Sequence, residues 1–240
     1  MKRFLLLVCS GMLFLAASAQ RTVINDPNAE LRPVAGFHGI RVSNAIDVFL
    51  TQGDKETVAV SASEDRWRDR IRTEVVDGIL HIYVENKKGI TFSTGNKKMK
   101  AYVAYTKLDK LDASGASDIY VDGVIAGESL EISLSGSSDF KGAVKVGSLK
   151  LDQSGSSDAY ITGTVAGLTT ISSNGASDVK AYELTTETCT VNASGASDVR
   201  ITINKELNAH ASGASSIYYK GNAVIRDLHS SGASSVSKKG

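Results

Sequence analysis

The chain has 240 residues and is close to electroneutral, with 27 lysines and arginines against 26 aspartates and glutamates. This balance argues against a nucleic-acid-binding protein, which normally carries a basic surplus, and against a polybasic membrane-surface protein. The hydrophobic fraction of 42% is sufficient for a core. The 22 glycines, two prolines and low aromatic content of 6% favour a protein of many short strands and turns over a helical bundle.

Residues 1–19 have the features of a secretory signal peptide. Their basic start is followed by an apolar run from Phe4 to Ala17, which is short for a bilayer span. An Ala-Ser-Ala sequence ending at residue 19 matches a cleavage site. We therefore expect cleavage before Gln20 and export to the periplasm, the outer-membrane surface or the medium. No later apolar run is long enough to predict a transmembrane span.

The two cysteines bear on anchoring and on disulfides. Cys9 offers an alternative, a lipid anchor, but the bulky Val8 before it and its place inside the apolar run disfavour lipid attachment. After signal cleavage Cys189 is the remaining cysteine, so no intramolecular disulfide is expected. Its alternation with Val191 predicts a buried, apolar role for this thiol.

A five-residue motif, Ser-Gly-Ala-Ser-Asp or a close variant, recurs seven times at intervals of 18 to 21 residues. Its glycines are Gly115, Gly136, Gly155, Gly175, Gly195, Gly213 and Gly232. Repeats of this length are typical of β-solenoids, in which each coil buries its apolar face against the next coil. Glycine at each corner permits backbone angles that other residues avoid.

Counting from each glycine reveals apolar columns. Four residues before it stand Leu111, Ile132, Leu151, Ile171, Val191, Ala209 and Leu228. Four residues after it stand Ile119, Phe140, Ala159, Val179, Val199, Ile217 and Val236. A serine always follows two residues after the glycine and shares the inward parity. These alternations predict an all-β fold, a right-handed parallel β-helix of about seven coils of about 20 residues each. The β-branched runs and the central glycines disfavour a helical repeat.

The domain organisation follows from this pattern. We expect a signal peptide at 1–19, a flexible N-terminus at 20–36, a less regular strand-rich part at 37–106 and solenoid repeats at 107–240. Asp77-Gly78 predicts a hairpin turn, residues 64–72 one helix, and residues 86–100 a polar, lysine-rich loop.

The strand-rich part carries recognisable motifs. They are Phe37-x-x-Ile40-x-Val42-Ser43, Ile46-x-Val48-x-Leu50-x-Gln52-Gly53, Val58-x-Val60 and Asp77-Gly78-x-Leu80-x-Ile82. Together with the repeats, they make the chain from Phe37 to Val236 resemble the putative auto-transporter adhesin, head GIN domain family, a bacterial domain of unknown function common in the Bacteroidetes. The resemblance implies an exported β-helical protein of the cell envelope and implies no catalytic activity.

An acidic column follows the corner, three residues after the glycine. Its members are Asp118, Asp139, Asp158, Asp178 and Asp198. Stacked carboxylates repel one another, so a cation such as Ca²⁺ is one interpretation. The favoured interpretation is that each carboxylate accepts backbone N–H groups in its own turn, because the column repeats evenly whereas a catalytic site is local.

A second polar column lies five residues after the glycine and is predicted to face solvent. Its members are Tyr120, Lys141, Tyr160, Lys180, Arg200 and Tyr218. Aromatic rings and cations on one strip could bind a polysaccharide, and these residues are the candidate ligand-binding site. A ladder of cation–π contacts that merely stabilises the coils is the favoured alternative.

Motifs for catalysis, phosphate binding or dinucleotide binding are absent from the sequence. The histidines, His38, His81, His210 and His229, show no ligand-like spacing. We therefore expect no catalytic, metal-binding or cofactor-binding residues. The leading hypothesis is a non-enzymatic, adhesin-like binding or scaffold protein whose partner is a polysaccharide or an envelope or host surface protein. The alternatives are a lyase-like or hydrolase-like β-helix enzyme that acts on polysaccharide and an assembly module that pairs through its open coil ends.

Overall fold

The computed structural model describes residues 25–85 and 98–240, and these are almost entirely β-strand. The early strands are β1 (Glu30–Arg32), β2 (Gly39–Val42), β3 (Ile46–Gln52), β4 (Thr57–Ser61), β5 (Ile71–Val76), β6 (Ile79–Val84), β7 (Met99–Tyr105) and β8 (Lys110–Ala113). The later strands are β9 (Ile119–Leu134), β10 (Phe140–Gln153), β11 (Asp158–Ser173), β12 (Asp178–Ala193), β13 (Asp198–Ala211), β14 (Ser216–Lys220), β15 (Val224–Ser230) and β16 (Ser235–Lys238). One short helix, α1 (Asp65–Arg68), precedes β5. The all-β prediction is confirmed.

The long strands β9 to β13 stack as successive coils of a β-solenoid. Each pairs in parallel with the next, so that Phe140 lies in register with Ile119 on one side and Ala159 on the other. The stack has about six turns, slightly fewer than the seven coils predicted. The difference arises because seven corner glycines enclose only six full intervals. The chain after Gly232 adds only the short strand β16.

The predicted apolar columns form the interior of the stack. In both columns every member up to Ala209 and Ile217 is almost completely buried. At the C-terminal end the same columns lose their cover, and Leu228 is 50% exposed. The core therefore runs the length of the solenoid and opens to solvent at its last coil.

The strand-rich N-terminal part belongs to the same sheet. Strand β2 pairs in parallel with β6 and β8, and β3 pairs in parallel with β7 and β9. Strands β5 and β6 form the predicted hairpin around Asp77-Gly78, where both residues have positive φ angles of 52° and 74°. This part thus continues the stack without the repeat motif.

Two local expectations differ from the structure. The helix spans only α1 and buries Trp67, because Ile71 already pairs with Val84 in the β5–β6 hairpin. Strand β1 lies within the segment expected to be flexible. It pairs antiparallel with β4, and an ion pair of 3.0 Å joins Glu30 to Arg68.

Two predicted segments fall wholly or mostly outside the described residues. These are the signal peptide at 1–19 and positions 86–97 of the lysine-rich loop; the loop's last two positions already belong to β7. Within residues 25–85 and 98–240, no helix has the length and apolar character needed to cross a membrane.

The corner glycines stack in direct backbone contact. The Gly155 carbonyl accepts the Ala176 N–H at 2.8 Å, and Gly136 accepts the Ser156 N–H at the same distance. Gly175 has φ +86°, and a Cβ on it would lie 2.5 Å from the Gly155 carbonyl oxygen. Glycine is therefore required here both for its backbone angle and for the close approach of the next coil.

The serines after the corner point inward, as their parity predicted. Ser177 is fully buried, and its Oγ donates to the Asn174 carbonyl oxygen at 3.0 Å. Equivalent bonds close the turns at Ser138, Ser157, Ser197 and Ser215. Each buried hydroxyl is therefore satisfied by its own turn.

The acidic column, here called the Asp ladder, links neighbouring coils. Oδ1 of Asp118 accepts the N–H of Asp139 at 3.0 Å, and Oδ1 of Asp139 accepts the N–H of Asp158 at 3.0 Å. The carboxylates thus accept backbone N–H groups, as favoured from sequence, but from the next coil rather than from their own turn. Asp47 of β3 extends the ladder beside Asp118.

Gly175→Val tests the corner. The variant should lose about 3 kcal/mol or more of unfolding free energy, because a positive φ and a backbone clash act together. Gly123→Ala is the matched control, since Gly123 has φ +90° but a Cβ added to it would meet no described atom within 4 Å. It should lose only about 1–2 kcal/mol. Equal losses in thermal and denaturant unfolding of both variants would contradict the stacking argument.

Substitution of Asp139 tests whether the charge of the Asp ladder destabilises the fold. Burial raises the pKa of Asp139; the N–H of Asp158 opposes this shift, and the Asp118 and Asp158 carboxylates add to it. Because the folded-state pKa is raised, the protonated form is favoured, and the cost of the charge grows as pH rises from the ordinary value of 3.8 through the raised pKa.

Asp139→Asn keeps an acceptor oxygen and removes the charge, so it should be more stable than the wild type at pH 7 and equally stable below pH 3.8. Asp139→Ala should instead lose about 1 kcal/mol at pH 7, because the Asp158 N–H loses its acceptor. Melting temperatures of the wild type and of both variants, measured across pH, check these expectations. A destabilised Asp139→Asn at pH 7 would show that the charge itself supports the fold.

Candidate functional site

The second polar column forms a continuous row on the outer face of the sheet, here called the aromatic–cation row. Its members, in spatial order, are Tyr102, Phe49, Tyr120, Lys141, Tyr160, Lys180, Arg200 and Tyr218. All six residues predicted from the repeat are neighbours in register. Phe49 and Tyr102 were missed because they precede the first corner glycine, although each alternates with buried apolar residues on its own strand.

Neighbouring members of the row contact one another. The ammonium of Lys180 lies 4.5 Å from the centre of the Tyr160 ring, and the guanidinium of Arg200 lies 5.6 Å from the Tyr218 ring. The Phe49 ring stacks on Tyr120 with a centroid distance of 5.3 Å. Contacts of this kind contribute about 0.5–1 kcal/mol each at exposed positions. The row therefore contains the stabilising ladder that the sequence favoured.

The Asp ladder neutralises part of the row. Lys180 Nζ donates to Asp158 Oδ2 at 2.7 Å, and Arg200 donates to Asp198 Oδ2 at the same distance. Partial burial disfavours the Lys180 ammonium, yet its bonds to Asp158 and Tyr160 raise its pKa above the ordinary value. Burial and the nearby Asp118 carboxylate raise the pKa of Tyr120 to about 12, so its hydroxyl remains protonated.

Lys141 differs from the other two cations. It is exposed and lies in register between Tyr120 and Tyr160, and its side chain forms no ion pair or hydrogen bond within the described residues. Asp139, the residue just before β10, likewise forms no ion pair within the described residues, and it accepts the Asp158 N–H. The row thus presents one unneutralised ammonium flanked by two aromatic side chains.

A groove of about 660 Å³ runs along this part of the row. It is lined by five of the six predicted residues, while Tyr218 lies beyond it next to Arg200. The remaining lining residues are Val121, Gly123, Gly142, Ala143, Thr162, Tyr182 and Glu183. The small residues Gly142 and Ala143 follow Lys141 on β10, and a Cβ on Gly142 would lie only 2.7 Å from Cγ2 of Val121, another lining residue.

Tyr182 is the aromatic lining residue that the repeat did not reveal. It follows Lys180 by two positions and so shares its outward face, which is the signal that could have found it. The register between β12 and β13 shifts after Ala181, so a count from the corner glycine does not reach this position. The Lys220 ammonium lies 4.7 Å from the Tyr182 ring.

The groove can engage a ligand by stacking and by charge. Lys141, Lys180 and Arg200 line it together with Glu183, which is the one carboxylate among its described lining residues. Tyrosine rings provide apolar faces that carry a polar edge. An acidic polysaccharide, whose sugar rings carry hydroxyl and acidic groups, would offer partners for both the tyrosine rings and the cations.

The structure places the remaining singled-out residues elsewhere. Cys189 is fully buried, and burial raises the pKa of its thiol. His38 pairs with Asp109 at 2.7 Å, and His81 stands opposite Glu74 in the β5–β6 hairpin.

Two histidines that look scattered in the sequence are neighbours in the fold. His210 and His229 lie in register on β13 and β15, because each stands three residues before a corner glycine. Asp227 bonds to His210 at 3.0 Å, and this bond, together with the charge of His229, lowers the pKa of Asp227.

Solved bacterial structures share this fold. A protein named putative adhesin from Bacteroides fragilis superposes with a TM-score of 0.80 at 19% identity, covering 88% of this chain and 96% of that one. A putative adhesin from Parabacteroides distasonis gives 0.64 at 22% identity, with coverages of 87% and 96%. A putative lipid binding protein from the same species gives 0.60 at 19% identity, with coverages of 88% and 98%. At these identities the likeness concerns the fold.

No curated protein matched the chain. A family model, in contrast, matches residues 36–223 and carries the description "Putative auto-transporter adhesin, head GIN domain". The match covers both the strand-rich N-terminal part and the coils through β14. It confirms the resemblance seen in the sequence motifs, and the chain belongs to the putative auto-transporter adhesin, head GIN domain family.

Proposed function

We propose that this protein is an exported, adhesin-like binding protein whose groove holds an acidic polysaccharide. The observation that carries the proposal is Lys141, an ammonium without an ion-pair partner among the described residues, set between two tyrosine side chains in a groove of about 660 Å³. The family and its adhesin-named structural neighbours support a binding role. The signal peptide predicted at residues 1–19 supports export.

The charge distribution favours an acidic sugar over a neutral one. Lys180 and Arg200 already have carboxylate partners, so their net attraction for a ligand is reduced. Lys141 has no such partner in the described part of the chain and can bind a uronate or sulfate group without breaking an ion pair. Neighbouring coils repeat at about 4.8 Å, a step comparable with one sugar unit of an extended polysaccharide.

The lining of the groove supports binding without catalysis. Glycoside hydrolases rely on two carboxyl groups placed on either side of the scissile bond. Glu183 is the single carboxylate that lines the described groove, while Asp158 and Asp198 are held by Lys180 and Arg200. The groove therefore fits a holding surface better than a hydrolytic centre.

Lys141→Ala tests the proposal. In residues 20–240, it should weaken binding to a uronate-rich polysaccharide such as alginate at least tenfold, with dextran as the neutral comparison. The melting temperature should stay unchanged, because Lys141 has no ion pair or hydrogen bond to lose among the described residues. Lys145→Ala is the matched control, since Lys145 is exposed on the same strand but outside the groove. Isothermal titration calorimetry measures the affinities.

Three outcomes would contradict the proposal. These are failure of the wild type to bind any acidic polysaccharide, equal affinity of wild type and Lys141→Ala, and equal loss of affinity in the Lys145→Ala control. One structural neighbour is named a putative lipid binding protein, so lipid vesicles form a further arm. Binding of vesicles in place of polysaccharide would assign the groove to a different class of ligand.

A second candidate function, self-assembly, rests on the open end of the solenoid. Leu228 occupies the column that is buried in every earlier coil, yet it is 50% exposed, and Val224 on the same strand is 57% exposed. A second copy of the chain could cover this end by continuing the coil pairing. The partner we propose is therefore another molecule of this protein.

Sedimentation at several concentrations tests assembly. The wild type should gain mass as its concentration rises, and Leu228→Lys should remain monomeric because it places a charge at the apolar end. Leu168→Lys is a suitable control, because Leu168 is 46% exposed on β11, in the middle of the strand order and away from both edges. A wild type that stays monomeric at all concentrations would rule out self-assembly.

A further inference from the structure

We propose that His210, Asp227 and His229 form a binding site for one divalent transition-metal ion, with zinc as the preferred ion. This site is independent of the groove and shares no lining residue with it. It lies at the C-terminal end of the stack, where β15 forms the last coil beside β13.

The fold brings three ligand atoms together. Asp227 Oδ2 lies 3.0 Å from His210 Nε2, and Asp227 Oδ1 lies 3.1 Å from His229 Nδ1. The ligand atoms all lie within 4.8 Å of one another. Donor atoms around tetrahedral zinc, with bonds of about 2.0–2.2 Å, are separated by about 3.3 Å. Small rotations of the three side chains would therefore bring the donors onto one ion.

The solenoid explains why the two imidazoles meet. Both histidines occupy the same position of the repeat, so coil pairing places them in register with ring centres 4.9 Å apart. Asp227 precedes His229 by two residues and so shares its face of β15. Asp227 and His229 come from β15, and His210 comes from its neighbour β13.

The two imidazole nitrogens and the carboxylate determine which metal ions the site favours. Imidazole nitrogens suit zinc, copper and nickel, whereas calcium and magnesium prefer all-oxygen sites. Three protein ligands leave a fourth position for water or for a group of a partner. The side chains are 44% to 73% exposed, so an ion can reach them from solvent.

A bound ion would clamp the last coil. Strand β15, at the C-terminal end of the stack, is exposed along most of its length, unlike the long strands of the earlier coils. A metal held by residues of both β13 and β15 would join this weakly covered coil to the buried part of the stack. Zinc should therefore raise the melting temperature as well as bind.

The test measures zinc binding to residues 20–240 without a histidine tag, by calorimetry and by competition with a chelating dye. We expect one zinc per chain with micromolar or tighter affinity, a raised melting temperature, and no response to calcium. His229→Ala and Asp227→Asn should each weaken zinc binding at least tenfold. Both positions are exposed, and circular dichroism will show whether the variants keep the fold.

His38→Ala is the matched control, because His38 forms a histidine–aspartate pair with Asp109 but has no second histidine beside it among the described residues. It should bind zinc as the wild type does. No zinc binding by the wild type at about 100 μM metal would overturn the proposal. Unchanged binding in His229→Ala, loss in His38→Ala, or a response to calcium in place of zinc would overturn it equally.

Discussion

Backbone contact between successive corner glycines is the constraint on which the rest of this structure depends. From Gly136 onward the preceding coil lies so close that a Cβ has no room, and the carbonyls of the corner glycines from Gly115 to Gly213 each accept an N–H from the following coil. Because the contact is made by backbone atoms, it fixes the register of each coil to within a single residue. A slip by one residue would turn every apolar side chain out of the interior.

Because the register is fixed, residues that recur at the same position of the repeat stack into ladders of similar side chains. For apolar residues and serines this is favourable, since each copy meets the same buried surroundings. For aspartates it brings like charges near one another, and the fold offsets this with N–H donors from the next coil and with cations on the adjacent row. The position around Asp139 and Lys141 departs from that scheme, because neither residue has an ion-pair partner within the described residues. Of these two residues, Lys141 lines the groove.

Much of this architecture could be predicted from the sequence, because a residue's distance from its corner glycine determines its column. The core, the inward serines and the neighbouring placement of Tyr120 to Tyr218 all follow from that distance. Phe49 and Tyr102 could not be found in this way, since they join the row through strands that lack the motif.

Other features of the structure could not be predicted from the repeat, for different physical reasons. Tyr182 escaped because a shift in strand register separates it from the regular count. His210 and His229 each stand three residues before a corner glycine. Metal-ligand motifs, however, are usually sought among residues close together in the sequence. These two histidines belong to different coils, a full repeat apart along the chain. The groove is lined by residues of five successive strands, β9 to β13, so it exists only once the coils are stacked.

The parallel pairing of the coils also has a mechanical consequence. In a parallel sheet the hydrogen bonds slant between neighbouring strands, so here they run roughly along the axis of the stack. A pull along that axis would open the bonds one coil at a time, like peeling. A pull across the axis would instead load all the bonds of a coil together in shear. The groove is lined by residues of β9 to β13, so a pull applied there across the axis would load the bonds of several coils at once.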